Sequence, residues 1–139
     1  MAENQYYITD VASLSDEQKA VCQTVIVPTK DISFFAVDMP KVARSKWAQL
    51  IPWLLEDKLL TPAVDVHFAF GQRNANGLVP VAVVSRELIQ NWVDSFEAVP
   101  VENCIADIFE LPFVEGKWVI SYQADYTRVR SGEYQGFAG

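Results

Sequence analysis

The sequence predicts a mixed α/β, or α+β, domain, and two observations carry that prediction. Two amphipathic helical patterns are interleaved with β-branched runs, and two of those runs are joined by a turn-rich loop that demands antiparallel pairing. Hydrophobic residues make up 50% and charged residues 21% of 139 positions, the balance of a folded chain long enough for one core.

Taken in order, "YYI" is a short apolar patch, and "SLSDEQKAVC" follows it. Ser15 is placed to cap a short helix, with Gln18 reaching back as the partner of a capping box. "TVIVP" (24–28) is a β-branched run closed by proline and reads as a buried strand. "ISFFAVDM" (32–39) reads as a second strand, ending at Pro40. From about Val42 to Leu60 a helix is expected, because Trp47, Leu50, Ile51, Leu54, Leu55 and Leu59 recur at the three-and-four spacing of one buried face.

Pro52 interrupts that pattern. A proline inside a helix removes a backbone donor and crowds the carbonyl four residues back, at a cost of about 3 kcal/mol. The expectation is therefore a kink or restart at Ile51–Pro52, with proline in the first turn of a second segment.

The clearest strand is "VDVHFAF" (64–70), with Val64, Val66, Phe68 and Phe70 on one face. "GQRNANG" supplies turn residues and "LVPVAVV" (78–84) completes a hairpin, where Pro80 predicts an edge or a bulge. Ser85 is an N-cap candidate for a helix whose stripe runs through Leu88, Ile89, Trp92, Val93 and Phe96. "ENCIAD" is a short strand, "LPFVEG" a turn, and "KWVISYQ", "YTRVRS" and "EYQGFAG" a closing meander.

The net charge of −7, from 18 acidic and 11 basic residues, lacks the basic footprint needed on phosphate backbones, so nucleic acid is not an expected partner. The opening "MAENQYYITD" has no basic start followed by an apolar stretch, and no uncharged run approaches the roughly 18 residues of a membrane span. A soluble chain is expected. Cys22 and Cys104 have neither CxxC spacing nor a disulfide framework around them, and read as reduced, mostly buried thiols.

Catalytic signals are sparse. His67 is the only histidine and reads as a half-exposed strand residue, which leaves no base for a nucleophilic triad and no zinc site. Asp31, Asp38, Glu56, Asp57, Asp65, Asp94, Asp107 and Asp125 are scattered, as expected of a solvated acidic surface. All six glycines fall in turns or in the meander, with no GxGxxG, GxxxxGK or early Asp-x-Gly turn to approach a phosphate. No catalytic residue, cofactor or metal is assigned. Trp47 and Trp92 lie on apolar stripes and are expected in the core. Trp53 falls off its stripe, and either covers a neighbouring strand or forms an exposed partner contact with Glu56 and Asp57.

The segments "VDMPKVARSKWAQLIPWLLEDKLL", "DVHFAFGQRNANGLVPVAVVSRELIQNWVDSF" and "GKWVISYQADYTRVRSGEYQGFA" resemble the cytoplasmic region of type II secretion system protein L, in order and without large gaps. The most specific pieces are Pro52–Asp57, Val66–Gly71, Val81–Val84 and Arg130–Ala138. The resemblance implies part of an actin-like ATPase, ribonuclease-H-like fold carrying an inserted βαββ subdomain, without a working nucleotide site. It implies that 1–31 and 101–139 belong to the ribonuclease-H-like sheet, 32–84 to the βαββ subdomain and 85–100 to a connecting helix. It further implies a scaffold on the cytoplasmic side of a Gram-negative inner membrane. Such a scaffold is anchored by a later helix, binds the secretion ATPase (E component), and associates with the M component and another copy of L. Relatives usually carry a longer N-terminal hairpin, and "GFAG" precedes their second actin-like half, so an excised fragment or a shortened relative is expected. Two other readings remain open at this point: a type IV pilus assembly adaptor of the protein M type, and a fragment of an active actin-like ATPase or kinase.

Overall fold

The computed structural model describes residues 4–96 and 99–139, so positions 1–3 and 97–98 of the spans above lie outside the described residues. Among the described residues nine strands form three three-stranded sheets. The first is parallel: β1 (Gln5–Tyr7), β2 (Thr24–Val27) and β6 (Asn103–Ala106), with β2 central. Parallel strands need crossovers. The link from β1 to β2 carries helix α1 (Asp16–Val21), capped by Ser15 and Gln18 in the anticipated reciprocal box.

The second sheet is antiparallel and lies within that crossover logic, between β2 and β6. Its order is β3 (Ile32–Asp38), β5 (Leu78–Ser85), β4 (Val66–Phe70). Helix α2 (Trp47–Leu55) covers one face. Trp47, Ile51 and Leu55 meet Val37, Val66, Val79, Val81 and Val83 in a closed apolar cluster. Helix α3 (Arg86–Ser95) starts where β5 ends, with Ser85 accepting the Leu88 amide. Trp92 carries it onto a second cluster with Val11, Cys22, Val25 and Val27. Val84, at the end of β5, belongs to this second cluster and ties the two cores together.

The third sheet is the meander β7 (Val119–Tyr122), β8 (Thr127–Gly132) and β9 (Gln135–Ala138), which pairs only with itself among the described residues. Gly136 lets β9 sit against the body: a Cβ there would run into the Val129 carbonyl and lie 2.6 Å from Ile108 Cδ1. Segment 101–139 is thus divided between the parallel sheet, through β6, and this separate meander.

Four sequence expectations change. Trp47–Leu55 is one uninterrupted α-helix with Pro52 sixth in it, so the helix does not restart at Ile51–Pro52. Its irregular parts are the 3-10 turns at either end, Arg44–Lys46 and Glu56–Lys58. Burial explains the tolerance, since Trp47, Ile51 and Leu55 are at most 6% exposed. Each such side chain contributes about 1.5–3 kcal/mol against the proline's cost of about 3.

Pro80 lies in the central strand of its sheet, neither at an edge nor at a bulge. Its carbonyl accepts from the Gly71 amide, so its nitrogen faces the same neighbour, one residue past the end of β4. The Gly71 carbonyl that an N–H would have served accepts instead from Arg44 Nη1 at 3.0 Å.

Val64 is not in the strand but in a 3-10 turn, Ala63–Asp65, and is 72% exposed. Cys22 is buried as expected, whereas Cys104 is exposed, because β6 has a strand on one side only.

Candidate functional site

In α/β sheets ligands gather beyond the carboxyl ends of parallel strands, where loops diverge. Here Tyr7 ends β1, Thr29 follows β2 and Asp107 follows β6. These positions hold a closed polar joint. Asp107 Oδ1 accepts from Thr29 Oγ1 at 2.6 Å, from the Thr29 amide at 3.2 Å and from the Tyr126 hydroxyl at 3.3 Å. Thr29 Oγ1 accepts in turn from the Ile108 amide at 3.1 Å. Thr29 is fully buried and Asp107 is 7% exposed.

A second link lies beside it. Arg128 Nη1 donates to the Asp107 carbonyl and pairs with Glu110 Oε1 at 3.0 Å, while the Tyr7 hydroxyl donates to the same carboxylate at 2.8 Å. The hydrogen bond to Glu110, then burial, raises the Tyr7 hydroxyl above the usual tyrosine range. Burial, then the charge of Asp107, does the same to Tyr126. The carboxylates and hydroxyls at the strand ends are therefore engaged with one another, while the buried Nε of Arg128 has no partner among the described residues. They bolt the meander to the parallel sheet, and neither His67, exposed on β4, nor a cysteine reaches them. Among the described residues no group of three or more His, Cys, Asp or Glu could hold a metal ion.

The residues singled out from sequence lie elsewhere. Trp53 does not cover a strand: it is 75% exposed on the outer side of α2. With Pro52 and Glu56 it lines a groove of about 670 Å³, closed on the far side by Leu59, Leu60, Thr61, Pro62 and Ala63. Asp57, also exposed, stands next to the lining and not in it. Sequence reasoning missed Leu60, which is fully exposed, and Val64. The signal was present in "LTPAV", where Leu60 and Val64 flank a Thr-Pro turn at the end of the helical pattern. A second exposed apolar face belongs to the meander, with Trp118 stacked edge-on against Phe137 and Ile120 and Tyr122 alongside.

Comparison with known proteins gives these features a context. The profile of the family described as type II secretion system (T2SS), protein L, matches residues 7–139. The type II secretion system protein L of Dickeya chrysanthemi is 30% identical over 96 residues, which are 68% of this chain and 24% of that protein. Its counterpart in Pectobacterium carotovorum subsp. carotovorum is 32% identical over 96 residues, 68% of this chain and 22% of that protein. The chain thus spans about a quarter of the length of these relatives. Among solved structures, the cytoplasmic domain of EpsL, an inner membrane component of the type II secretion system of Vibrio cholerae, superposes with a TM-score of 0.74 at 24% identity. That match covers 95% of this chain and 55% of the EpsL chain, and shows a shared mixed α/β fold. With the family profile spanning nearly the whole sequence, the chain belongs to the type II secretion system protein L family.

Proposed function

We propose that this chain is a non-catalytic scaffold module of the type II secretion inner-membrane platform, acting on its cytoplasmic side to recruit the secretion ATPase. The match of residues 7–139 to the protein L family carries the reading. Two features support it. The polar groups at the strand ends are engaged internally, as suits a protein that assembles and does not turn over substrate. The groove lined by Trp53 and Glu56, with Asp57 exposed beside it, supplies an exposed surface for a protein contact.

In this reading 1–31 and 101–139 form the main body, 32–84 the inserted βαββ subdomain that presents the groove, and 85–100 the connecting helix. The M component and a second copy of L are further partners. Among the described residues no helix is long and apolar enough to cross a membrane, so anchorage would come from a segment outside this chain.

Calorimetry between the complete cytoplasmic region of the parent protein and its cognate secretion ATPase tests the proposal. Saturable binding without ATP hydrolysis by the scaffold is expected. No binding removes the recruitment role, and tight MgATP binding by the scaffold itself favours a pilus-adaptor or enzymatic reading instead.

A further inference from the structure

We infer that the groove at the end of α2 takes a basic amphipathic helix, one whose apolar stripe is flanked by lysines or arginines. The inference rests on the reading of this surface as a partner contact, and adds the chemistry of the occupant.

Helix α2 has an inner and an outer side. The inner one, Trp47, Ile51 and Leu55, is occupied by the core. The outer one carries Trp53, and the 3-10 turn and bend that follow the helix bring Glu56 and Leu60 into the same groove, with Asp57 exposed beside it. Trp53 and Leu60, which line it, are 75% and 103% exposed. Isolated apolar residues on a surface mean little, but a contiguous set lining a groove marks an interaction site.

Charge selects the occupant. Glu56 lines the groove and Asp57 stands exposed next to it, with Lys58 the one base between Pro52 and Asp65. Among the described residues neither carboxylate has a cation within 4 Å, and the single salt bridge joins Arg128 to Glu110. Two copies docking through this face would bring two acidic patches of like sign together, and an anionic membrane would be repelled in the same way. A basic partner meets the unpaired carboxylates.

The backbone selects its shape. All lining residues come from 52–63, which are helical or in turns, so no free strand edge is available for an added strand. Packing of side chains into a groove is left, and that is the mode in which amphipathic helices bind.

The test is titration calorimetry of the 139-residue chain with two synthetic 18-residue helical peptides sharing one leucine stripe, flanked by lysines in one and glutamates in the other. The lysine peptide should bind at least tenfold more tightly. Trp53→Ala should weaken it at least tenfold, and the double variant Glu56→Lys with Asp57→Lys should reverse the preference. Trp118→Ala, on the meander's apolar face, should change nothing. Equal binding of both peptides, binding of neither, or loss on Trp118→Ala but not on Trp53→Ala would overturn the inference. Unfolding midpoints of the variants, expected within a degree or two of the parent, separate lost docking from lost folding.

The same variants, carried into the complete cytoplasmic region and titrated with the cognate ATPase, distinguish the two proposals. ATPase binding that is indifferent to Trp53 and Glu56 ends the groove inference and leaves recruitment standing. Lysine-peptide binding without ATPase binding does the reverse.

Discussion

Asp107 and Glu110, at the ends of the parallel strands, are held by a threonine, two tyrosines and an arginine. Glu56 and Asp57, just past the end of α2, have no cation within 4 Å among the described residues and stand in water beside an exposed tryptophan. All four count equally toward a net charge of −7, yet only the second pair is available to a partner. The charge that composition reports and the charge that a surface offers are different quantities. Burial decides which residues contribute to which.

Substitutions can break this contrast, most severely at the buried end. Asp107→Ala should cost about 2–4 kcal/mol, because it strands the buried Thr29 hydroxyl, takes an acceptor from Tyr126 and leaves the Thr29 amide with the Tyr126 oxygen alone. Urea unfolding monitored by circular dichroism measures it, and a loss under 1 kcal/mol would mean that the joint is not structural. Thr29→Val keeps the shape but leaves the Ile108 amide without its acceptor, for an expected loss of about 1–3 kcal/mol by the same measurement.

Tyr126→Phe sharpens the contrast through pH. Burial and Asp107 raise the Tyr126 hydroxyl above its ordinary value of 10.0, so the folded chain holds that proton more tightly than the unfolded one. Its contribution is whole below about pH 10 and disappears as pH climbs through the raised value. The parent should therefore lose stability more steeply than Tyr126→Phe in melts taken above pH 10. Parallel curves would contradict the assignment. At the exposed end, Trp53→Ala and Glu56→Gln should each change stability by no more than about 0.5 kcal/mol, since neither side chain supports the fold. A larger loss would place Trp53 in the core after all.

Local chemistry made several elements legible in the sequence. Ser15 with Gln18, and Ser85 before its helix, announce their caps within four residues. The turn "GQRNANG" announces its hairpin, where the Asn74 side chain accepts from the Asn76 and Leu78 amides. The polar joint stayed hidden because Thr29 and Asp107 lie 78 residues apart and neither carries a motif. Val64 fits the alternation of the strand that follows it, and no periodicity reveals that Pro62 turns it out to solvent. Pro52 shows the limit of a local rule: three buried side chains on the same helix outweigh one missing hydrogen bond.

Pro80 turns that limit around, because here the missing hydrogen sets a dimension. Strand β4 pairs with β5 as far as Phe70, and one more rung would ask Pro80 for a donor it does not have. A Cβ at Gly71 would also lie 3.0 Å from the proline ring. The ring is an end-stop: the hairpin can neither lengthen nor slide toward its loop. Arg44, drawn to the Gly71 carbonyl left over at that point and held over Trp47 with its cation 5.0 Å from the ring centre, fastens the start of α2 to the place where the ladder ends.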